Sequence, residues 1–337
     1  MGDELRKRGH SSMRAAFLLV MVARATLCCA LMMLAPAARA ADKVVAGTLG
    51  GQAPLWPFYI ALHKGFFAAE GLAVDLQFIQ SGAAVTQQLA ARSLDVALSV
   101  GITNPIHAID KGAPLALIRI IGNTPPYVLI GKSGLKSIAD LRGKTISVGQ
   151  VNDIATVYFE RMMAANGLKK GEYDMLPAGV SAARYAALKA GVADAALVLP
   201  PLNFQAVASG YVTLGVAANY VKDIPFTGMA VVRPWAAARM DVAKRILTAT
   251  DKSIAWFADP ANHDAAIDLL VDVARASRSD AEASYDYLRE IDYFEPSSKV
   301  SRAKLRNVIE VERQAGNVGL TLTIERLVMP GLTDLTD

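Results

Sequence analysis

Several polar residues and glycines in the first third of the sequence directly follow apolar, branched runs, where a strand would end and a helix begin. In open α/β sheets, ligands sit beyond the carboxyl ends of the strands, where helix N-termini offer free N–H groups and a positive dipole end. These segments therefore predict binding of a small molecule with an anionic group. The candidate contacts are Gln52, Ser81, Gly82, Gly101, Thr103 and Asn104. Ser81 has the alternative role of an ordinary helix cap.

A second group of candidates lies in the middle of the chain. Asn152, Asp153 and Thr156 fall between a predicted strand at 145–148 and the helix after it. Asp153 has the alternative role of N-cap to that helix. Pro200 and Thr227 complete the predicted ring of ligand contacts.

Three aromatic residues follow the first predicted strand: Trp56, Phe58 and Tyr59. Their rings would form a wall suited to a planar or apolar ligand. Aromatic residues are also common as core groups, so the sequence leaves open whether Trp56 and Phe58 touch ligand or pack in the interior.

The sequence lacks the usual patterns of catalytic and metal sites. After residue 40 there is no cysteine, and His63, His107 and His263 stand far apart without metal-ligand spacing, which favours helix-surface positions for them. Gly143-Lys144-Thr145 resembles the end of a phosphate-binding loop, but Ile138 stands where that loop requires a glycine. We therefore expect no catalytic residue, no metal and no cofactor.

The elements that must position the candidate residues alternate along the chain. From residue 43, short apolar runs rich in branched residues alternate with amphipathic stretches, which predicts an α/β fold with mostly parallel sheets and flanking helices. The end of the chain is predicted to be helical. The four helices expected there are 238–258, 261–274, 279–290 and 299–315.

Two turn-rich segments, 123–126 and 223–228, are expected to be chain crossings. They would divide the sequence into a discontinuous first lobe, residues 41–124 and 228–337, and an inserted second lobe, residues 125–227, with a ligand cleft between them. Arg119 lies inside an apolar run, so it must be exposed or paired. A salt bridge between the lobes or a solvent-facing strand position is favoured over an anion-binding role.

The first forty residues are predicted to be a secretory signal peptide. A basic start precedes an apolar stretch and the small-residue site Ala38-Arg39-Ala40, which predicts cleavage after Ala40. The alternative is a retained membrane anchor. The segment holds both cysteines and six of the 35 Lys and Arg residues but two of the 31 Asp and Glu residues, so 29 of each remain beyond it. A neutral mature chain has no charge pattern for nucleic acid.

Several segments resemble the periplasmic binding proteins of the nitrate, sulfonate, taurine and thiamine-pyrimidine type. The resemblance begins at Pro57-Phe58-Tyr59-Ile60-Ala61 and is most specific in Lys64-Gly65-Phe66-Phe67-Ala68-Ala69-Glu70-Gly71-Leu72. It continues in shorter motifs at 94–97, 112–114, 140–146 and 187–195. The chain departs from the pattern at Val198-Leu199-Pro200-Pro201, where relatives often have a tryptophan and an acidic residue before the proline. This departure argues against a sulfonate or taurine ligand.

The resemblance implies a two-lobed fold of type II-like periplasmic binding proteins, with a hinge and closure on a ligand. It places Gly101, Thr103 and Asn104 in a ligand loop and favours Asn152 or Thr156 as a contact, because that loop faces the cleft in the family. The implied function is the monomeric, periplasmic solute-binding component of an ABC importer, with a permease and an ATPase as membrane partners.

Two alternatives remain from the sequence: a small-metabolite enzyme on the same fold, and a ligand-sensing partner of a membrane receptor. The ligand itself stays open among an aromatic or aliphatic carboxylate, a sulfonate and a pyrimidine-like compound.

Overall fold

The computed structural model describes residues 40–50 and 52–337. The predicted signal segment lies outside the described residues except for Ala40, so its cleavage stays a prediction. Among the described residues, no helix combines the length and the apolar character needed to cross a membrane.

Residues 42–122 alternate strands and helices, as the sequence pattern predicts. The elements are β1 Asp42–Thr48, α1 Trp56–His63, α2 Phe66–Ala69, β2 Leu72–Phe78, α3 Gly82–Ala90, β3 Val96–Gly101, α4 Thr103–Asp110 and β4 Leu115–Gly122. β4 is buried along its whole length, whereas β2, at the edge of the sheet, is largely exposed on one face. A strand covered on both faces needs a continuous apolar run, and β4 has one except at Arg119.

Residues 128–216 repeat this alternation. The elements are β5 Val128–Gly131, β6 Thr145–Val148, α5 Ile154–Ala165, β7 Asp174–Pro177, α6 Ser181–Lys189, β8 Ala195–Val198, α7 Leu202–Ala208 and β9 Val212–Val216. The bounds of β6 are those predicted, and α5 is the helix expected after it. β7 and α7 are additions that the sequence did not indicate, because β7 is short, partly exposed and ends in proline, and α7 follows a pair of prolines.

The last third of the chain begins with one strand and is mostly helical, as predicted. The elements are β10 Thr227–Val232, α8 Arg233–Ala238, α9 Met240–Ala258, α10 His263–Ala274, α11 Arg278–Glu290, β11 Lys299–Ser301, α12 Arg302–Gln314, α13 Ile324–Leu327 and β12 Asp334–Thr336. α9 to α12 are the four expected helices. β11 and β12 pair in a small parallel sheet of their own.

Two five-stranded sheets share one topology. Their strand orders are β2-β1-β3-β10-β4 and β7-β6-β8-β5-β9. In each sheet, four strands run in the same direction, and one strand, β10 or β5, lies antiparallel to both of its neighbours. That strand is in each case the first one after the chain has passed from one sheet to the other. The predicted α/β class with mostly parallel sheets is thus confirmed.

Arg119 of β4 is fully buried and paired. Its guanidinium forms an ion pair with Asp251 of α9 and donates to Ser298 Oγ at 2.8 Å and to the carbonyl of Glu295 at 2.9 Å. Pairing is as predicted, but both favoured placements were wrong: the side chain faces neither solvent nor residues 125–227. Burial lowers the pKa of Arg119, and the carboxylate of Asp251 opposes that shift.

Replacing Asp251 alone should cost more stability than replacing both partners. Asp251→Asn leaves a buried guanidinium without its counter-charge, and we expect a loss of roughly 3 kcal/mol in the free energy of unfolding. The double variant Arg119→Met/Asp251→Asn removes the buried charge as well and should lose less. Urea titration of the three proteins measures the difference.

The control is Glu325→Gln, which breaks the exposed pair between Arg302 and Glu325. It should change the free energy of unfolding by less than about 1 kcal/mol. A double variant less stable than Asp251→Asn would contradict this account of Arg119.

Candidate ligand-binding cleft

A cavity collects the carboxyl ends of parallel strands from both five-stranded sheets. From the first sheet it is lined by Gln52 after β1, by Ser81 and Gly82 after β2, and by Gly101 at the end of β3. From the second sheet it is lined by Gln150 after β6, Gly179 after β7 and Leu199 after β8. Because parallel strands end at the same edge, residues distant in sequence meet here.

The two antiparallel strands contribute their first residues to the same cavity. Tyr127 immediately precedes β5, and Phe226 and Thr227 stand at the start of β10. The rings of Tyr127 and Phe226 are 5.1 Å apart and edge-on, and both contact Tyr158 of α5. The wall of the cavity at the two chain crossings is therefore a buried aromatic cluster.

Half of the sequence-predicted ligand contacts line this cavity. They are Gln52, Ser81, Gly82, Gly101, Asn104, Asp153 and Thr227. Ser81 Oγ also accepts from the N–H of Ala84 and Asp153 Oδ1 from that of Ala155, so both residues cap helices as well. In the described part of the chain, the side-chain amides of Gln52 and Asn104 have no hydrogen-bond partner. These two amides are therefore available to a ligand.

The predicted aromatic wall is wrong. Trp56 and Phe58 are fully buried in the core, and Trp56 Nε1 donates to the carbonyl of Ala266 at 2.8 Å. Tyr59 is 3% exposed, with its ring centroid 6.3 Å from that of Phe78. α1 is apolar on every side and is covered by other elements, so its aromatic residues serve packing. The aromatic residues of the cavity are Tyr127 and Phe226 instead.

Four other predicted contacts do not line the cavity, and three of them, Thr103, Asn152 and Pro200, form hydrogen bonds between its two sides. The hydroxyl of Thr103 donates to the carbonyl of Asn152 at 3.4 Å, and the carbonyl of Pro200 accepts from the N–H of Ala53 at 3.0 Å. Thr156 Oγ1 donates to the carbonyl of Gln150. Thr156 and Asn152 line a different cavity, which also borders on residues 315 and 317.

These contacts close the cavity to a small volume. It encloses about 30 Å³, whereas clefts for drug-sized ligands measure about 300–1,000 Å³. An organic ligand would require its walls to separate. The bonds Thr103 to Asn152 and Ala53 to Pro200 are the ones that such a movement would break.

Arg184 is the basic residue among those that line the cavity, and the sequence analysis missed it. Its side chain is 2% exposed and lies 5.5 Å from the centroid of the Tyr127 ring. The guanidinium donates to three carbonyls: Ala178 at 3.2 Å, Gly179 at 2.6 Å and Leu197 at 3.1 Å. These bonds fix its position, but a carbonyl does not neutralise a full positive charge. Arg184 forms no ion pair with a carboxylate of the described residues.

Arg184 was not among the predicted ligand contacts because the sequence pattern did not predict β7. β7 ends at Pro177, so the loop 178–180 follows the carboxyl end of a strand, as the other loops that line the cavity do. Arg184 stands one turn into α6, the helix after this loop. The sequence signal that could have revealed it is the basic residue in the first turns of a helix that opens with Gly179-Val180-Ser181.

Burial shifts the titration of two groups in the cavity. It raises the pKa of Asp153, and the positive charge of Arg184 partly opposes this, with a smaller contribution from His107. Burial also raises the pKa of Tyr127 to about 12, so this phenol stays neutral. The cavity therefore contains one permanent positive charge and one carboxyl group that ionises less readily than an exposed aspartate.

The histidines occupy unrelated places. His107 is not the helix-surface residue expected: its Nε2 lies 2.6 Å from Oε2 of Glu312, which is fully buried. His63 is exposed, and His263 packs against the ring of Tyr285. Within the described residues, no group of three His, Cys, Asp or Glu side chains could hold a metal ion.

Asp153→Asn should raise the thermal unfolding midpoint at pH 7. Asparagine retains the N-cap but removes the charge of a half-buried, desolvated carboxylate. The pKa of Asp153 is higher folded than unfolded, so its contribution to stability is full below about pH 4 and is lost as pH rises through the folded pKa. The advantage of the variant should thus grow from pH 4 to pH 7 in thermal scans.

The control for this series is Asp272→Asn, which changes the same charge at an exposed position of α10. Its effect on the midpoint should be small at each pH. A midpoint for Asp153→Asn below that of the wild type at pH 7 would show that burial does not dominate the energetics of this carboxylate.

Comparison with known proteins agrees with this architecture. The model of the family described as "NMT1/THI5 like" matches residues 52–263. A comparison with curated protein sequences finds no match.

Solved structures with a similar fold come from several sources. One is the alkanesulfonate-binding protein SsuA from Xanthomonas axonopodis pv. citri bound to MOPS, with 17% identity over 88% of this chain and 99% of that one and a TM-score of 0.71. The periplasmic nitrate-binding protein NrtA from Synechocystis PCC 6803 has 17% identity over 71% of this chain and 68% of that one, with a TM-score of 0.61. A DSZB mutant in complex with biphenyl-2-sulfinic acid has 14% identity over 87% of this chain and 97% of that one, with a TM-score of 0.63.

Proposed function

The chain belongs to the NMT1/THI5-like family, whose model matches residues 52–263, and we propose that it is a periplasmic solute-binding protein that captures a small organic anion. The observation that carries the proposal is Arg184, a buried cation that lines a cavity without a counter-ion from the described residues. The side-chain amides of Gln52 and Asn104, which have no hydrogen-bond partner within residues 40–50 and 52–337, stand in the same cavity. A fixed positive charge and free amide groups in one cavity are suited to bind an anion.

Two lobes around the two five-stranded sheets would form this cleft. The proposed boundaries are residues 41–124 with 228–337 for the first lobe and 125–227 for the second. The strands of each sheet support this division, since β5 to β9 all lie within residues 128–216. The chain passes between the sheets at 123–127 and 217–226, and these two segments would act as the hinge.

Ligand capture would work by selecting the closed form. Opening breaks the contacts of Thr103 with Asn152 and of Ala53 with Pro200, and it exposes Arg184 to solvent. An anion that bridges Arg184 and the amides of the first lobe interacts with both lobes only when they are together. Its higher affinity for the closed form would shift the population towards closure.

The proposed partners are the permease and ATPase of an ABC importer, which would recognise the closed form. Support comes from the similar folds of the proteins described as alkanesulfonate-binding and nitrate-binding. The predicted signal peptide supports a periplasmic location. A sensor that presents the closed form to a receptor would have the same cleft, and neighbouring genes for a permease and an ATPase separate the two roles.

A thermal shift series on the exported protein tests the function. Sulfonates, carboxylates, aromatic acids, pyrimidines and nitrate are added at increasing concentration. At one hundred times its dissociation constant, a ligand should add about 2.7 kcal/mol of stability. We expect a shift with at least one anion, and recovery of that compound unchanged by mass spectrometry. Consumption of the compound would favour an enzyme instead.

Variants locate the binding site. Arg184→Gln should weaken binding of the anion by about 2–5 kcal/mol, because it removes the buried charge that faces it. Since Arg184 also holds three carbonyls, Asn104→Ala provides a second variant whose side chain has no structural hydrogen bond to lose.

The matched control is Lys189→Gln, which removes a cation from the same helix without touching the cavity. It should leave the dissociation constant unchanged. If Arg184→Gln and Asn104→Ala bind as tightly as the wild type, as measured by calorimetry, the anion does not occupy this cleft and the proposed site is wrong.

A further inference from the structure

The cavity contains two opposite charges that are not joined by a direct ion pair, although the charge of Arg184 acts on Asp153 through space. Asp153 and Arg184 both line it, and they form no ion pair. Asp153 stands at the N-cap of α5, and Arg184 lies in α6. Both charges therefore belong to the second five-stranded sheet and its helices, and the same ligand would meet both of them.

The guanidinium of Arg184 cannot turn away from the cavity to reach another partner. Three backbone carbonyls hold its three nitrogen atoms, and the ring of Tyr127 lies against it. A ligand must accommodate this charge where it is. An anionic group on the ligand does so.

The carboxylate of Asp153 keeps unused acceptor capacity. A carboxylate offers about four lone-pair sites, and the protein supplies the N–H groups of Ile154 and Ala155, the latter at 3.4 Å. Two glycines pack closely against it, since a Cβ at Gly101 would lie 3.4 Å from Oδ1 and one at Gly149 would lie 3.2 Å from Oδ2. A bare anion on Arg184 would leave this carboxylate desolvated and facing a like charge.

We infer that Asp153 is a specificity-determining residue that requires a hydrogen-bond donor on the ligand, so that the ligand is an amphoteric acid: an anionic group for Arg184 and a protonated amine for Asp153. This inference rests on the proposed binding function. It narrows the ligand class, because nitrate and plain sulfonates or carboxylates carry no such donor. Burial of the carboxylate, which raises the pKa of Asp153, increases the cost of leaving it without a partner.

Matched pairs of acids that differ by one amine test the inference. The probes are taurine with ethanesulfonate, β-alanine with propionate, and 4-(aminomethyl)benzoate with 4-methylbenzoate, measured by calorimetry on the exported protein. In at least one pair, the amine-bearing acid should bind about 10- to 100-fold more tightly, the range for a hydrogen bond to a charged group.

Asp153→Asn should reduce this preference to within a few fold, by weakening the amine-bearing acid and strengthening the plain one. Asparagine retains the helix cap, so the variant should fold. Asp272→Asn, with the same change of charge outside the cavity, should keep the full preference.

Three results would overturn the inference. The first is equal or tighter binding of the plain acids, and the second is a preference for the amine-bearing acids that persists in Asp153→Asn. The third is no binding of any amine-bearing acid while nitrate, plain sulfonates or pyrimidines bind. In each of these cases the cleft still binds a solute, so the proposed function stands. Absence of binding by every compound in both panels would count against the proposed function itself.

Discussion

The cleft depends on one topological constraint: the first strand after each chain crossing enters its sheet antiparallel, between two strands that run the other way. β10 does so in the first sheet and β5 in the second. Because of this reversal, the starts of these two strands lie at the edge where the parallel strands end. Loop residues from strand ends and residues of the two crossings therefore line the same cavity, so a ligand would touch both.

An aromatic cluster links the cavity to the two chain crossings. Tyr127 and Phe226 face the cavity, and behind them stand Tyr158 and Tyr293, both fully buried. Tyr158 donates to the carbonyl of Pro225 at 2.8 Å, so a helix of the second sheet is tied to the second crossing. A ligand that alters the packing of Tyr127 or Phe226 would act on both crossings at once, and this would couple occupancy of the cleft to movement of the proposed lobes.

Burial separates the predicted contacts that line the cavity from those that lie in the core. Gln52, Gly101 and Asn104 were recognisable because a polar residue or glycine after an apolar run has few roles other than a loop at a strand end. Trp56 and Phe58 occupy a similar position in sequence, but an aromatic side chain there gains more from the core than from a solvent-filled cleft. No pattern in the sequence distinguishes these two outcomes, since both require the same apolar residue after the same strand.

The sequence by itself determined the alternation of strands and helices, the two crossing segments and the loops in which ligand contacts had to lie, because hydrophobic periodicity and turn residues are local properties. Only the tertiary structure decided which residues face the cavity. The pairing of Thr103 with Asn152, the burial of Arg184 among three carbonyls and the absence of an ion pair between Arg184 and Asp153 depend on how distant segments meet. Such contacts are set by the packing of the two sheets, and the chain between those residues carries no record of them.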